Sequence, residues 1–274
     1  MKLRLRKPVK VIILIFILLS LLLVGNSFLN REEIVVIQRE HISLIKTDEI
    51  VLNEKVEPFY KWSKEEWTAL HDINNDYVCT IRFESGIIDL PVTQAYDNDY
   101  YLRTNFETKE YDEFGTPFID YEIDYKDGEG IYEDNNITIY GHYCYPEYDP
   151  EQVKMFTPLH LLKEESNYED NKYIQLLFED EVRRYEVCEV FYCELVGDGT
   201  YYYTRDDMEY YRPSFTKEYL DNFKERINER EFYDTGIDFD ENSKLLTLQT
   251  CVQNHNELRL IVIAKEITRV DISE

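Results

Sequence analysis

The chain has 274 residues, room for one large domain or two small ones plus a tail, and its 43% hydrophobic content, with 24 Tyr and 14 Phe, is that of a folded protein. Lys and Arg total 30 against 56 Asp and Glu, a formal charge of −26 that repels phosphate backbones and excludes nucleic acid as a partner. Five widely spread cysteines exclude a disulfide-dense scaffold and leave at least one thiol unpaired within the chain.

In chain order, residues 1–10 hold Lys2, Arg4, Arg6, Lys7 and Lys10 and no acid, and residues 11–29 then run for 19 positions without a charge. That is close to the ~20 residues a helix needs to cross a bilayer, and the basic side stays cytoplasmic. Residues 1–30 therefore read as a basic tip and a retained transmembrane anchor. A cleaved signal peptide is the competing reading; the long apolar run and the lack of an A-x-A pattern in Gly25-Asn26-Ser27-Phe28-Leu29 speak against it. The rest of the chain carries −31, which this topology places outside the plasma membrane on a single-pass protein. Residues 31–57 mix acids, bases and aliphatics without Gly or Pro and read as a juxtamembrane stalk, leaving 58–274 as the extracytoplasmic domain.

Ser63-Lys64-Glu65-Glu66 has capping-box spacing, and Trp67, Leu70 and Ile73 follow at helical intervals, which predicts a helix over 63–74. From Tyr77 onward short β-rich segments take over, at 77–83, 86–92, 116–120, 136–142, 173–178, 181–196, 244–251 and 259–266. Strands of this number and length predict a mostly β fold, an antiparallel barrel closed or nearly closed, with helices at 154–162 and 215–228 on its periphery. The long loops 98–115 and 197–214 lie at its rim, and Asp124-Tyr125-Lys126-Asp127-Gly128-Glu129-Gly130 reads as a charged turn because Lys126 falls where a calcium loop needs a ligand.

The period of two along 136–142 puts His142 at a strand end on the face of Thr138 and Tyr140, and along 245–251 it puts Cys251 at a strand end on the face of Thr247 and Gln249. A seven-residue loop, 252–258, then makes the last two strands antiparallel neighbours and brings Arg259 beside Cys251. A thiol beside an imidazole and a guanidinium is a competent nucleophile. Arg259 is suited to hold an oxyanion and His142 to protonate a leaving amine. The bland alternative is a small buried Cys and a structural His.

Thr138-Ile139-Tyr140-Gly141-His142 and Leu246-Thr247-Leu248-Gln249-Thr250-Cys251, followed by Arg259 and Leu260-Ile261-Val262-Ile263-Ala264, resemble the histidine, T-L-x-T-C and arginine motifs of sortases, membrane-anchored cysteine transpeptidases of Gram-positive bacteria. The middle of the chain is similar to class B: Asp97-Asn98-Asp99-Tyr100-Tyr101-Leu102, Phe118-Ile119-Asp120-Tyr121, Met155-Phe156-Thr157-Pro158-Leu159, and a helix at 215–228 between two late strands. The resemblance implies a sortase-type barrel without a cofactor. It implies that Cys251 attacks the Thr carbonyl of a surface protein's sorting-signal peptide and forms a thioester, that His142 protonates the departing amine, and that Arg259 steadies the oxyanion or the peptide. It further implies Asn98, Leu102 and Thr250 as substrate-binding positions, and as acceptor an amine of cell-wall precursor or a pilin lysine. The sequence departs from the family at Tyr143, at Gln249 and at Val78-Cys79-Thr80, which bears on the peptide groove.

Other candidates have weaker patterns. His255 falls in the seven-residue loop, and His41, His71 and His160 carry only structural readings. Cys188 and Cys193, five apart in one strand, face opposite sides, and Cys144 approaches Cys251 only if the strand of His142 continues. A zinc site from His142, Cys144, Cys251 and His255 matches no familiar spacing and would consume the nucleophile. Two further readings stay open: a cysteine peptidase that only hydrolyses, and a noncatalytic surface-binding barrel with a Tyr-rich rim at Tyr201-Tyr202-Tyr203 and Tyr210-Tyr211.

Overall fold

A computed structural model describes residues 62–123, 135–144, 155–197 and 202–272. The expected anchor and stalk, 1–57, and the charged turn 124–130 lie outside the described residues. No helix among the described residues is long and apolar enough to cross a membrane.

Helix α1 (Lys64–Ile73) starts where the capping box predicts. Ser63 Oγ accepts from the Glu66 amide at 3.2 Å and the Glu66 carboxylate accepts from the Ser63 amide at 2.9 Å. The indole of Trp67 donates to the Val78 carbonyl at 2.9 Å, which docks the helix on the first strand. The strands are β1 (Tyr77–Phe83), β2 (Asp89–Thr93), β3 (Phe118–Ile119), β4 (Asn136–Tyr140), β5 (Tyr173–Leu177), β6 (Glu181–Gly197), β7 (Tyr202–Thr204), β8 (Leu245–Val252) and β9 (His255–Asp271). They pair in the order β5-β1-β2-β3-β4-β8-β9-β6-β7, and β5 also pairs with β6, so eight strands close into a barrel and β7 hangs from the far end of β6. Closure leaves the eight without a free edge.

Two joints correct the expectation of an antiparallel barrel: β2–β3 and β4–β8 are parallel. Both pairs are linked by long excursions, and parallel neighbours require a connection of a dozen or more residues. The last hairpin also differs. Val252 pairs with His255, so Gln253 and Asn254 make the turn, Asn254 takes a left-handed φ of 62°, and β9 begins at His255 rather than Arg259. Such a turn suits Asn, which tolerates that conformation.

Inside the barrel, Ile81, Phe83, Ile119, Ile139, Leu176, Val187, Leu246, Leu248 and Val262 form the main core, and Phe156, Leu159 and Leu162 enter it from a 3-10 helix, Thr157–Lys163, in place of the helix expected over 154–162. A second core lies on the outer face of β6, β8 and β9. There α2 (Lys217–Asn228), capped by Thr216, lays Leu220, Phe223 and Ile227 on Phe191, Ile261 and Ile263. Residues 260–264 are apolar without interruption because β9 is covered on both faces. Each such large side chain, fully buried, contributes about 1.5–3 kcal/mol.

Cys188 and Cys193 both sit in this outer core. A register shift between Val187 and Glu189 makes Cys188 an extra residue in β6, and that bulge reverses the parity on which opposite facing rested. Tyr210, expected on an exposed rim, is 2% exposed in the same cluster.

Candidate active site

The parallel β4–β8 pairing aligns Tyr140 with Gln249, and the Gly141 amide donates to the Gln249 carbonyl at 3.1 Å. His142 and Cys251 each lie two residues further along their chains, beyond the last β4–β8 pair. Antiparallel pairing with β9 sets Arg259 directly opposite Cys251. The structure thus sets Arg259 beside Cys251 and carries His142 just past the end of the neighbouring strand, two residues beyond the last β4–β8 pair. Leu246, Leu248 and Thr250 face inward.

His142 is half-buried, and its Nε2 lies 2.7 Å from the Leu102 carbonyl. A carbonyl only accepts, so Nε2 carries the proton and Nδ1 holds the lone pair of the neutral ring. Burial pushes the His142 pKa below the ordinary imidazole value, against a smaller upward pull from the Leu102 carbonyl. The resting ring is therefore a neutral base at physiological pH. Cys251 is partly exposed, as a nucleophile must be. Arg259 Nη1 donates to the carbonyls of Asn256 and Leu258, each at 2.8 Å. These acceptors are uncharged and orient the guanidinium without neutralising it.

Leu102 ends a short 3-10 helix, Tyr100–Leu102, whose position is fixed from behind. Tyr101 is 1% exposed; its hydroxyl donates to Asp76 at 2.8 Å and accepts from Asn74 Nδ2 at 3.0 Å. The amide of Asn98 is bonded at both ends within the protein, Nδ2 to Asp120 at 3.0 Å and Oδ1 from the Tyr121 amide at 3.0 Å, and Tyr140 donates to the same Asp120 carboxylate at 2.6 Å. Thr250 is 1% exposed on the barrel side of the nucleophile, and its hydroxyl has no partner. Of the three positions expected to touch substrate, Asn98 and Leu102 are partly exposed and Thr250 is buried.

No protein-family model matches the chain. The fold matches Clostridium perfringens sortase B at 30% identity with a TM-score of 0.58, covering 73% of this chain and 99% of that one. The chain belongs to the class B sortases. It is also 24% identical to Sortase B of Listeria monocytogenes over 213 residues, 75% of this chain and 76% of that protein. A Staphylococcus aureus sortase B–substrate complex shares the fold with a TM-score of 0.61 at 22% identity, over 76% of this chain and 87% of that one. The protein is thus a cysteine transpeptidase.

In this sortase, the departures from the family motifs have structural partners. Gln249 accepts a hydrogen bond from the buried Tyr210 hydroxyl, and Asn136 Nδ2 donates to the carbonyls of Tyr210 and Arg212 at 2.8 and 2.9 Å. Together they pin segment 205–215 against the strands that carry the site. Tyr143 lies over His160, ring centres 4.7 Å apart, and its hydroxyl donates to Gln253 at 3.3 Å. His160 itself, given only a structural reading from sequence, reaches the Cys251 carbonyl at 3.0 Å. No local pattern announces that contact, since 91 residues separate the two.

His255 is exposed at the start of β9 and pairs with Glu257 at 3.3 Å. Cys144 does not follow an extended β4. The strand ends at Tyr140, and Cys144 is buried with its amide on Thr157 Oγ1 at 2.7 Å. All five cysteines are free thiols. Among the described residues no three His, Cys, Asp or Glu side chains converge as a metal site.

Proposed function

We propose that this sortase cleaves the C-terminal sorting signal of surface proteins through a Cys251 thioester and transfers the acyl group to an amine of cell-wall precursor or a pilin lysine. The pairing of Cys251 with Arg259 across β8 and β9, with His142 following the end of the neighbouring β4, supports the reading. Cys251 Sγ yields its proton to the neutral His142 and attacks the Thr carbonyl carbon. Arg259 holds the charge that develops on the carbonyl oxygen. The C–N bond breaks, and His142 returns the proton to the leaving amine. An incoming amine then attacks the thioester, forms the new amide and frees the thiol. Leu102 contacts the signal peptide while its carbonyl orients His142.

The basic tip and uncharged run at 1–30 support a single-pass anchor in the plasma membrane with the N-terminus cytoplasmic, residues 31–57 as stalk and 58–274 as the extracellular catalytic domain. The test incubates the full-length chain and Cys251→Ala with a library of sorting-signal peptides and a glycine peptide, and reads products by mass spectrometry. The expected outcome is an amine-bearing product from the wild type alone. The same product from Cys251→Ala would overturn the reading, and a Cys251-dependent free acid without amine product would replace transfer by hydrolysis.

A further inference from the structure

The ladder between β4 and β8 stops one bond short of the nucleophile. Its last bond runs from the Gly141 amide to the Gln249 carbonyl. Carbonyls two residues apart on a strand face the same neighbour, so the Cys251 carbonyl points toward β4 as that of Gln249 does. In a ladder that continued, the Tyr143 amide would be its donor. The chain has left the sheet by then: β4 ends at Tyr140, Tyr143 bridges to Met155, and the Phe156 amide donates to the His142 carbonyl at 3.0 Å. That departure lets the His142 ring stand clear of the sheet.

The side chain that reaches the Cys251 carbonyl is His160, through Nε2 at 3.0 Å. The carbonyl only accepts, so Nε2–H donates, and it does so in either protonation state of the ring. His160 rides on the 3-10 helix Thr157–Lys163, whose Pro158, Leu159 and Leu162 are buried. Tyr143 covers the imidazole, and its hydroxyl holds Gln253, two residues past the nucleophile. The imidazole is thus fixed both by the helix that carries it and by the aromatic ring against it.

We propose that His160 is a positioning residue: its Nε2–H supplies the hydrogen bond that the β4–β8 ladder cannot, and so fixes the peptide unit of Cys251 with the thiol between His142 and Arg259. This rests on the reading of Cys251 as nucleophile. A nucleophile held by the ladder on one side only, as Cys251 is by β9, samples geometries in which its partners do not reach it, and small misplacements lower rates steeply. His160 is not a second base for the thiol, because its proton is directed at the carbonyl oxygen.

The test uses the full-length chain with His160→Ala and His160→Gln, the latter keeping an N–H donor at comparable reach. The readouts are the rate of Cys251 carbamidomethylation by iodoacetamide, mapped by mass spectrometry, alongside the melting temperature. The expected result is a rate at neutral pH about 10-fold lower in His160→Ala, with most of the rate restored in His160→Gln. A wild-type rate in His160→Ala overturns the proposal. So does a His160→Gln variant as slow as His160→Ala, since that would mark a packing role. Cys251→Ala, run for peptide turnover beside these, separates the two claims: turnover surviving in it overturns the nucleophile reading, whereas its loss together with unimpaired His160→Ala overturns only the role of His160.

Discussion

Arg259 shows how much the chemistry depends on the form of a charge as well as its sign. Its Nη1 is held by two backbone carbonyls, and its backbone pairs directly with Cys251. A lysine places a single ammonium on a flexible stem and cannot satisfy two carbonyls and an oxyanion in one orientation. Arg259→Lys is therefore expected to lower kcat about 100-fold, the scale of losing one oxyanion donor, with an unchanged melting temperature. Steady-state turnover of a Cys251-dependent peptide checks it, and activity within threefold of the wild type would show that charge alone suffices. The candidate triad was legible at this scale because an alternating strand marks its own end and its own faces. His160 was not, because a side chain on a helix bonding to a distant carbonyl leaves no periodic trace.

At the scale of elements, the strand end bearing His142 depends on close contact with the 3-10 helix beside it. A Cβ on Gly141 would come within 2.5 Å of the Phe156 ring, which is fully buried and cannot swing aside. Gly141→Ala is expected to cost about 1–3 kcal/mol in urea unfolding, the usual penalty of overpacking. It is also expected to lower turnover by more than the unfolded fraction explains, because His142 is the next residue. Adding Phe156→Leu should recover stability; a double variant no more stable than Gly141→Ala would show that the ring is not the obstacle. Helix α1 and helix α2 were readable nearly to the residue, since caps and i, i+4 spacing are local. The bulge at Cys188 and the two-residue turn before His255 were not, because register is set by the neighbouring strand.

Across the whole molecule the acid excess meets one buried carboxyl with a distinct pH signature. Glu189, 8% exposed on β6, has an Oε2 without a partner, and burial together with nearby Glu231, Asp234 and Asp238 pushes its pKa up to about 8 despite Lys224. The folded state thus holds a proton that the unfolded chain releases near the ordinary carboxylate value of about 4.3. Between those two pH values the native state binds more protons, so stability falls as pH rises through the window. Glu189→Gln should flatten that slope and raise stability by roughly 2 kcal/mol at about pH 9, read from urea unfolding at several pH values. An unchanged slope would mean that Glu189 ionises without cost.

The sequence by itself determined the two capped helices, most of the strand segments, and that Cys251 lies near the end of a strand with Arg259 on the strand that follows, all consequences of local spacing and capping. The tertiary structure alone decided that β4 lies parallel to β8, that the barrel closes through β5 and β6, and that His160 takes the place of the missing ladder donor. Between β4 and β8 the chain runs more than a hundred residues, and nothing local to either strand states where that excursion returns. That choice is made by burying both faces of β8 and β9 at once, a condition only the assembled barrel and its covering helix can meet.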